Sequence, residues 1–256
     1  MVRPIPVVYM IVAAASIAYA QPAAGDPATP PIATDRPSVT DSSVVVPAGS
    51  LQAENGFAGT LSQGQRTFDG PETLLRFGVA SKTELRLNAP DYFRGVETSS
   101  GFGDFVVGMK QQLGPTPGGF DASLVLSLSL PAGARAISSG GYDPSVQLPW
   151  SKALSSNWTV GGMLSLYWPT VDGRRNVAGE TTFLVDRQLT KTWDAFVEYA
   201  SDFRERGGPR HLAHFGSTRK LTSCQQIDLH FGLGLSAAAV DRFIGVGYSF
   251  RLQVRR

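Results

Sequence analysis

The chain has 256 residues, and only 17% of them are charged, against roughly 25% in ordinary soluble proteins. The formal net charge of +2 gives no reason to expect a nucleic acid as a partner. With one cysteine, Cys224, the chain cannot form an internal disulfide, which excludes a small disulfide-stapled fold. These properties indicate a single domain with few charges.

Residues 1–20 have the pattern of a secretory signal peptide. An arginine precedes an apolar run from Val7 to Ala18, and the segment closes at Ala20 with a small-x-small cleavage pattern. A membrane-spanning helix needs roughly 20 apolar residues, and this run is several residues too short. We therefore expect export with cleavage before Gln21, so that any crossing of a membrane uses strands.

Apolar and polar residues alternate through most of the remaining chain. The clearest case is Ser123–Leu130, where four leucines alternate with serine and valine. Successive side chains of a strand point to opposite faces, so all four leucines lie on one face. A soluble sheet would bury such a face against a second sheet, whereas a membrane barrel turns it toward lipid.

This alternation predicts twelve strands of a length that suits a tilted membrane crossing. They are Ser50–Thr60, Glu72–Ala80, Thr83–Tyr92, Gly103–Leu113, Phe120–Pro131, Pro144–Ala153, Trp158–Trp168, Gly179–Leu189, Thr192–Asp202, His211–Leu221, Gln225–Leu235 and Asp241–Leu252.

The connections between these strands alternate in length. The odd-numbered joins have 5 to 12 residues and the joins between them have 2 to 6. Outer-membrane barrels combine an even strand number with short periplasmic turns and longer external loops. The pattern therefore predicts an all-β protein, an antiparallel transmembrane β-barrel of twelve strands with both termini periplasmic. Ten or fourteen strands are the next alternatives, and a soluble β-sandwich is the alternative of another class.

The predicted barrel covers residues 50–252, and a short tail of residues 253–256 follows it. Residues 21–49 precede it as a periplasmic leader and an extended, turn-rich segment. We place this segment outside the barrel wall, either below the barrel or in its mouth, and its role as a plug stays open. Its Asp35 and Asp41 are candidates for capping turns, with cation binding as the less favoured role.

Strand parity places most charged side chains on the face that lines the lumen. An unpaired Lys or Arg facing lipid at mid-membrane would cost roughly 2–4 kcal/mol. The predicted lumen-lining residues are Glu54, Glu72, Arg76, Glu84, Arg86, Asp104, Lys110, Asp194, Glu198, Arg219, Asp228 and His230. They either pair across strands and fill a narrow interior, or line a passage whose charges select solutes.

Aromatic residues cluster near the ends of the predicted strands, as expected for rings that settle at the two membrane interfaces. The periplasmic group is Trp158, Trp193 and Phe250, and the outer group is Tyr92, Phe93, Trp168 and Phe243.

Catalytic and metal-binding motifs are weak. Lipolytic barrels use a serine activated by histidine, often with His-x-Ser spacing, and none of His211, His214 and His230 has a serine two residues later. Parity assigns only His230 to the lumen. Cys224 lies in a short turn without metal-ligand spacing around it. We predict no catalytic, cofactor-binding or metal-binding residue, and no enzyme.

Several phrases of the sequence, in their order and spacing, resemble a known family. They are Thr34–Thr40, Val46–Gly56, Glu72–Gly78, Gly101–Asp104 and Leu128–Gly133. Together they resemble the outer-membrane β-barrel family labelled "putative MetA-pathway of phenol degradation". The resemblance covers most of the chain from Thr34 to Leu252 and implies a transporter connected with aromatic catabolism.

We therefore expect a bacterial outer-membrane transporter or channel for small hydrophobic or aromatic solutes. The alternative is a structural or surface-interaction barrel with a plugged lumen and no transport. Expected partners are outer-membrane lipid, a small aromatic solute and the barrel-assembly machinery. The machinery is expected because Gly245–Leu252 resembles the C-terminal recognition signal of outer-membrane proteins.

Overall fold

A computed structural model describes residues 30–96, 99–205 and 207–254 of the chain. The predicted signal peptide, the leader up to residue 29 and the last two residues of the predicted tail lie outside the described residues.

The described residues form seventeen β-strands. They are β1 (Ser50–Ser62), β2 (Gln65–Gly70), β3 (Leu74–Ala80), β4 (Thr83–Asn88), β5 (Tyr92–Val96), β6 (Ser99–Phe102), β7 (Phe105–Gln112), β8 (Asp121–Leu130), β9 (Asp143–Ala153), β10 (Trp158–Tyr167), β11 (Thr170–Val171), β12 (Arg174–Arg175), β13 (Ala178–Thr190), β14 (Trp193–Arg204), β15 (Arg210–Thr222), β16 (Gln225–Gly234) and β17 (Arg242–Gln253).

Twelve of the described strands close an antiparallel barrel. Their order around the wall is β1-β3-β4-β7-β8-β9-β10-β13-β14-β15-β16-β17, and β17 pairs back to β1 from Ser50↔Gln253 to Leu61↔Arg242. Closure pairs the backbone groups that lipid cannot hydrogen-bond. The predicted all-β barrel and its strand number are confirmed. The first residue of β1 and the last residue of β17 lie at the same rim.

The wall differs from the prediction between residues 61 and 104. The segment 61–71, predicted as a loop, contains β2, which pairs with the distal half of β1, while β3 pairs with the proximal half. β5 and β6 continue this ribbon beyond the barrel. Pro71 and Pro90 lie at two of the breaks, because proline has no amide hydrogen to donate to a ladder.

The barrel is polar inside and apolar outside. Glu54, Arg76 and Lys110 point inward and have no exposed surface, whereas Leu164 and Val197 point outward and are 57% and 53% exposed. Water-soluble proteins show the opposite distribution. The outer face is therefore a surface for lipid. Within the described ranges, no helix is long and apolar enough to cross a membrane.

Three of the four aromatic residues predicted near the rim remote from the termini differ from the prediction, whereas Tyr92 is exposed as expected. Phe243 points inward, with its ring centroid 5.2 Å from that of His214, and Phe93 and Trp168 line an internal cavity. These positions lie toward the strand ends, where an apolar ring gains more by facing a cavity than by facing water.

Candidate functional site

Residues 30–49 run inside the barrel and are called the plug below. The segment enters at the rim that carries the termini, where the Ile32 amide donates to the Ser223 carbonyl at 2.8 Å. It crosses the lumen and returns to the same rim, where the Gly49 amide donates to the Gly78 carbonyl at 2.7 Å. The segment predicted below the barrel or in its mouth thus occupies the lumen itself.

Asp35 of the plug lies at the centre of a buried ion-pair network. Its Oδ1 accepts a hydrogen bond from Lys110 Nζ at 2.8 Å and lies 3.2 Å from Arg76 Nη1, and its Oδ2 pairs with Arg86. Arg76 also donates to Glu84 at 2.8 Å. The cations of β3, β4 and β7 therefore converge on one plug carboxylate.

These cations control the ionisation of the plug carboxyl groups. Burial alone would raise the pKa of Asp35, but the charges of Arg76, Arg86 and Lys110 outweigh burial and hold that pKa well below its usual range. Burial and the charge of Asp35 instead raise the pKa of Asp41, although Arg86 donates to it at 3.0 Å. Asp41 therefore takes up a proton at a higher pH than Asp35 does.

Glu54 of β1 holds the plug backbone beside this network. One of its oxygens accepts the amides of Asp35 and Arg36 at 2.8 and 3.0 Å. The other accepts from Arg76 at 2.9 Å and from Gln52 at 2.8 Å. Every contact of this buried carboxylate is charge-assisted, which makes each stronger than a neutral hydrogen bond.

Arg36 makes the second charged contact of the plug with the wall. Its guanidinium donates to Glu72 and, at 3.3 Å, to Asp228. It lies against Gly56 and Gly247, which oppose each other on β1 and β17. A Cβ at Gly56 would lie 2.1 Å from Arg36 Cζ, and one at Gly247 would lie 2.6 Å from Arg36 Nε. The seat of Arg36 therefore requires two wall residues without side chains.

Glu198 of β14 holds the plug from the opposite wall. It accepts the amides of Val39 and Thr40 at 2.8 and 2.7 Å, and the Thr40 hydroxyl at 2.6 Å. It also pairs with His214 Nδ1 at 2.8 Å, and His214 Nε2 lies 3.0 Å from His230 Nδ1. A Glu–His–His row thus extends from the plug along β14, β15 and β16.

Hydroxyl groups hold the next part of the plug. The Ser43 and Ser151 hydroxyls are 2.7 Å apart, and the Ser123 hydroxyl donates to the Ser43 carbonyl at 2.6 Å. The hydroxyls of Thr40 and Thr182 are 2.5 Å apart. The contacts of the plug with β8, β9 and β13 are therefore neutral.

The structure places eleven of the predicted lumen-lining residues, all within the described ranges, on the interior side. They are Glu54, Glu72, Arg76, Glu84, Arg86, Asp104, Lys110, Asp194, Glu198, Asp228 and His230. Asp104 and Asp194 are apart from the plug. Asp104 accepts from the Gly133 amide at 2.9 Å, which holds the loop after β8, and Asp194 pairs with Lys220 at 2.9 Å.

Two residues of β15 correct the prediction. Arg219 lies on the outer face, opposite the exposed Trp193 and Ile227, whereas His214 points inward and is only 1% exposed. The two residues are five positions apart, so they must face opposite ways. The charge of Arg219 misled the assignment, because a cation near a membrane interface costs only about 0–1 kcal/mol.

The main contacts missing from the sequence interpretation are those of Asp35 and Asp41 with the luminal cations. Asp35 does accept the Ser42 amide at 2.9 Å, as a turn-capping residue does, but its ion pairs dominate. One signal was present. Arg76, Arg86 and Lys110 were all assigned to the lumen on three consecutive predicted strands, and such a concentration of buried cations requires carboxylates nearby.

A cavity of about 500 Å³ lies on the side of the plug remote from the termini and is called the chamber below. Asp41 and Arg86 line it where it meets the plug, and Phe93, Tyr167 and Trp168 supply aromatic walls. The plug therefore separates this chamber from the rim that carries the termini.

A second cavity of about 740 Å³ adjoins the chamber. Tyr167 and Pro169 line both cavities, and Asp202 and Arg210, which form an ion pair, line the second. The two cavities together lead from the remote rim to the plug. Among the residues described, no cluster of three or more His, Cys, Asp or Glu side chains is placed to hold a metal ion.

A barrel with a polar lumen, an apolar outer wall and a chamber on the plug defines a porin-like protein of the bacterial outer membrane. It is similar in fold to the COG4313 outer membrane channel from Pseudomonas putida F1, with a TM-score of 0.64 and 11% identity over 82% of this chain and 98% of that one. The NanC porin gives 0.57 and 8% over 79% and 100%, and the KdgM porin 0.52 and 12% over 78% and 98%. At these identities the similarity concerns the fold alone.

The sequence identifies the family. The model of the family described as "Putative MetA-pathway of phenol degradation" matches residues 34–252, and the chain belongs to this family. The matched region contains most of the plug as well as the barrel. No curated protein matches the sequence.

Proposed function

We propose that this protein is an outer-membrane channel for small hydrophobic or aromatic solutes, which collect in the chamber and pass when part of the plug moves. The observation that carries the proposal is a chamber that ends on the plug and has Phe93, Tyr167 and Trp168 in an otherwise mostly polar and acidic lining. Its volume of about 500 Å³ falls within the roughly 300–1,000 Å³ of small-molecule sites. Phe93, Tyr167 and Trp168 offer ring faces and edges to an aromatic solute.

Passage needs displacement of the plug, because the plug lies between the chamber and the opposite rim. The contacts of Ser43 with Ser123 and Ser151 favour movement at that point. Water can replace a neutral hydroxyl contact with little loss of free energy, since a typical hydrogen bond contributes only about 0.5–1.5 kcal/mol.

We propose further that the protein is not an enzyme. The row of Glu198, His214 and His230 has an acid and a base, but a nucleophile is needed beside them. In the part of the chain that the structure describes, neither His214 nor His230 is hydrogen-bonded to a hydroxyl or a thiol. The row instead satisfies a buried plug-binding carboxylate.

Locking the plug with a reversible crosslink tests the channel directly. The variant carries Ser43→Cys and Ser151→Cys, whose hydroxyls are in contact in the native protein, together with Cys224→Ser to leave no competing thiol. The refolded chain from residue 21 onward is placed in liposomes, and swelling is measured with phenol-sized aromatic acids and with small sugars, before and after reduction.

We expect the oxidised protein to leave the liposomes as impermeable as empty ones, and reduction to restore permeation of the aromatic acids above that of the sugars. The matched control carries Cys224→Ser alone and should not respond to reductant. Equal permeation of the oxidised and reduced proteins would show that solutes do not need plug movement. Equal permeation of sugars and aromatics would remove the proposed selectivity.

A structural barrel without transport is the second candidate, and the ion pairs of Asp35 favour it. Arg76 and Lys110 have no exposed surface. Displacement of Asp35 therefore either exposes these cations or leaves them buried without their shared carboxylate. If this second candidate is correct, the folded protein causes no swelling of the liposomes in either redox state.

We propose that the termini face the periplasm and that the barrel-assembly machinery recognises β17. The pairing of β17 with β1 along its length supports this, because it joins the C-terminal strand to the first strand and closes the barrel. Lipid surrounds the apolar outer face.

A further inference from the structure

We infer that the outer wall carries a binding site for a phosphorylated lipid, with Arg66, Arg94 and Arg242 as the phosphate ligands. The site lies on the lipid side of the wall, at the rim remote from the termini. It goes beyond the proposed channel function, because it involves no luminal residue.

The register of three strands places two of these arginines on either side of one residue of β1. Leu61 of β1 is paired with Arg66 of β2 on one side and with Arg242 of β17 on the other. Paired residues share a face of the sheet, and this is the outward face, since Phe57 of the same parity is 47% exposed. With strands about 4.8 Å apart, the two arginine backbones lie about 10 Å from each other.

Arg94 joins this pair from the next strand of the ribbon. It is paired with Phe68 of β2, which lies two residues from Arg66 on the same face. Side chains in such diagonal positions come within about 7–8 Å of each other at the backbone, and long ones can meet. The outward arginines therefore converge at one place on the rim.

The arginines have no protein partner within the described ranges. Arg66, Arg94 and Arg242 are all exposed, and none takes part in a salt bridge or a side-chain hydrogen bond with a described residue. Arg76 and Arg86 in the lumen differ, because each of them forms ion pairs with buried carboxylates. No described residue therefore competes with an anion from outside for these guanidinium groups.

The surface beside the arginines is apolar and indented. Phe68, Phe231 and Ile244 are 47%, 46% and 59% exposed, and with the arginines they line a groove of about 830 Å³. Gly59 lies between Phe68 and Ile244 in the ladder, and a Cβ there would meet nothing within 4 Å. The groove therefore offers apolar surface to an acyl chain beside the arginines.

This combination fits an amphiphile and not a free anion. A planar guanidinium binds phosphate through two parallel hydrogen bonds, and an exposed apolar groove next to it accepts hydrocarbon. With the termini in the periplasm, this rim lies in the outer leaflet, whose glycolipids carry phosphate groups on a sugar bearing several acyl chains. A cation at this depth costs little, because it reaches the polar interface.

Native mass spectrometry of the intact refolded barrel tests the site. The probes are a diphosphorylated, acylated glucosamine disaccharide and a phosphate-free lipid with the same acyl chains, each titrated into protein held in a neutral detergent. The variant carries Arg66→Gln, Arg94→Gln and Arg242→Gln. The matched control is Arg219→Gln, an outward-facing arginine at the opposite rim.

We expect the unchanged protein and the Arg219→Gln control to bind the phosphorylated lipid at least about tenfold more tightly than the phosphate-free lipid. The triple variant should bind both lipids equally. Heat-dependent migration on a gel shows whether each variant is folded, and single arginine variants replace the triple variant if it fails to fold.

Two results would overturn the proposal. One is equal affinity of the unchanged protein for the two lipids, which would make the contact hydrophobic only. The other is full retention of phosphate preference in the folded triple variant. A loss of binding on addition of millimolar inorganic phosphate, with the phosphate-free lipid unaffected, would support the assigned role of the arginines.

Discussion

The two parts of the plug are held by different chemistry. Asp35 and Arg36 are held by ion pairs that are almost fully buried. At Ser43, by contrast, the plug is held by the hydroxyl groups of Ser123 and Ser151. Breaking a buried ion pair leaves a charge without compensation, which costs much free energy. A neutral hydroxyl contact can be exchanged for a contact with water at little cost in free energy.

The two kinds of contact indicate where the plug is anchored and where it can open. Removing one member of a buried ion pair leaves an uncompensated charge, which costs far more than losing a neutral hydrogen bond. The ion-paired residues Asp35, Arg36 and Asp41 therefore act as the anchor, and Ser43 is the point that moves first. The chamber meets the plug at Asp41, next to the part expected to move.

The strongest test of the anchor is Asp35→Ala. The change leaves Arg76, Arg86 and Lys110 without a shared carboxylate, which should weaken docking of the plug by about 3–5 kcal/mol. Single-channel recording in planar bilayers should show the open state at least about 100-fold more often. Asp241→Ala, at an exposed position, is the control and should behave as the unchanged protein. A folded Asp35→Ala barrel that stays closed would remove the distinction between the two parts.

Gly247→Ala tests the second contact of the anchor. The added methyl group would lie 2.4 Å from Asp228 Oδ2 and 2.6 Å from Arg36 Nε, so the arginine must leave its seat at a cost of about 1–3 kcal/mol. We expect longer openings in the same recordings. Gly59→Ala is matched to it, because a Cβ there meets nothing within 4 Å. Identical behaviour of the two variants would mean that the Arg36 seat does not hold the plug.

Ser43→Ala sharpens the comparison from the neutral side. It removes the contact with the Ser151 hydroxyl, which should shift plug docking by about 0.5–1.5 kcal/mol. Openings should become two- to tenfold more frequent without a change in the size of the open state. Ser156→Ala, in an exposed turn, serves as the control. An effect as large as that of Asp35→Ala would contradict the assignment of the anchor to the charged part.

The smallest effect is expected from pH. Because the pKa of Asp35 is lowered in the folded protein, its contribution to docking is fully present above its unfolded pKa of about 3.9. That contribution is lost only as pH falls below this value toward the folded pKa. Channel recordings between pH 7 and 5 should therefore show no opening caused by protonation of Asp35. Asp35→Asn, which lacks the charge at every pH, should open as Asp35→Ala does and should show no further increase below about pH 4. An increase in opening of the unchanged protein near pH 6 that is absent from Asp35→Asn would be inconsistent with the lowered pKa.

The barrel was predictable because its signals are local. The alternating leucines of β8 indicate which residues face lipid, because successive side chains of a strand point to opposite faces. The lengths of the connections indicate at which rim neighbouring strands are joined. The interruptions near Pro71 and Pro90 were less visible, because a strand that stops and resumes keeps the same alternation on both sides. The second ribbon β2-β5-β6 therefore appeared in the sequence as a loop.

The site was predictable in part. The inward positions of Glu54, Arg76 and Lys110 follow from strand parity, but the path of the plug does not. Parity also failed for β15, where the charge of Arg219 suggested the wrong face and hid His214. A single charged residue near an interface is poor evidence for orientation, since lipid tolerates it there.

By itself, the sequence determined the strand number, the two faces and the family, because lipid and the extended backbone impose these constraints on each strand separately. Only the closed tertiary structure decided the rest. The ion pairs of Asp35, the glycine seat of Arg36 and the convergence of Arg66 with Arg242 each depend on segments far apart in the chain. The pairing of β17 with β1 sets the last two, and the path of the plug sets the first. Side-chain alternation within one strand carries no information about either.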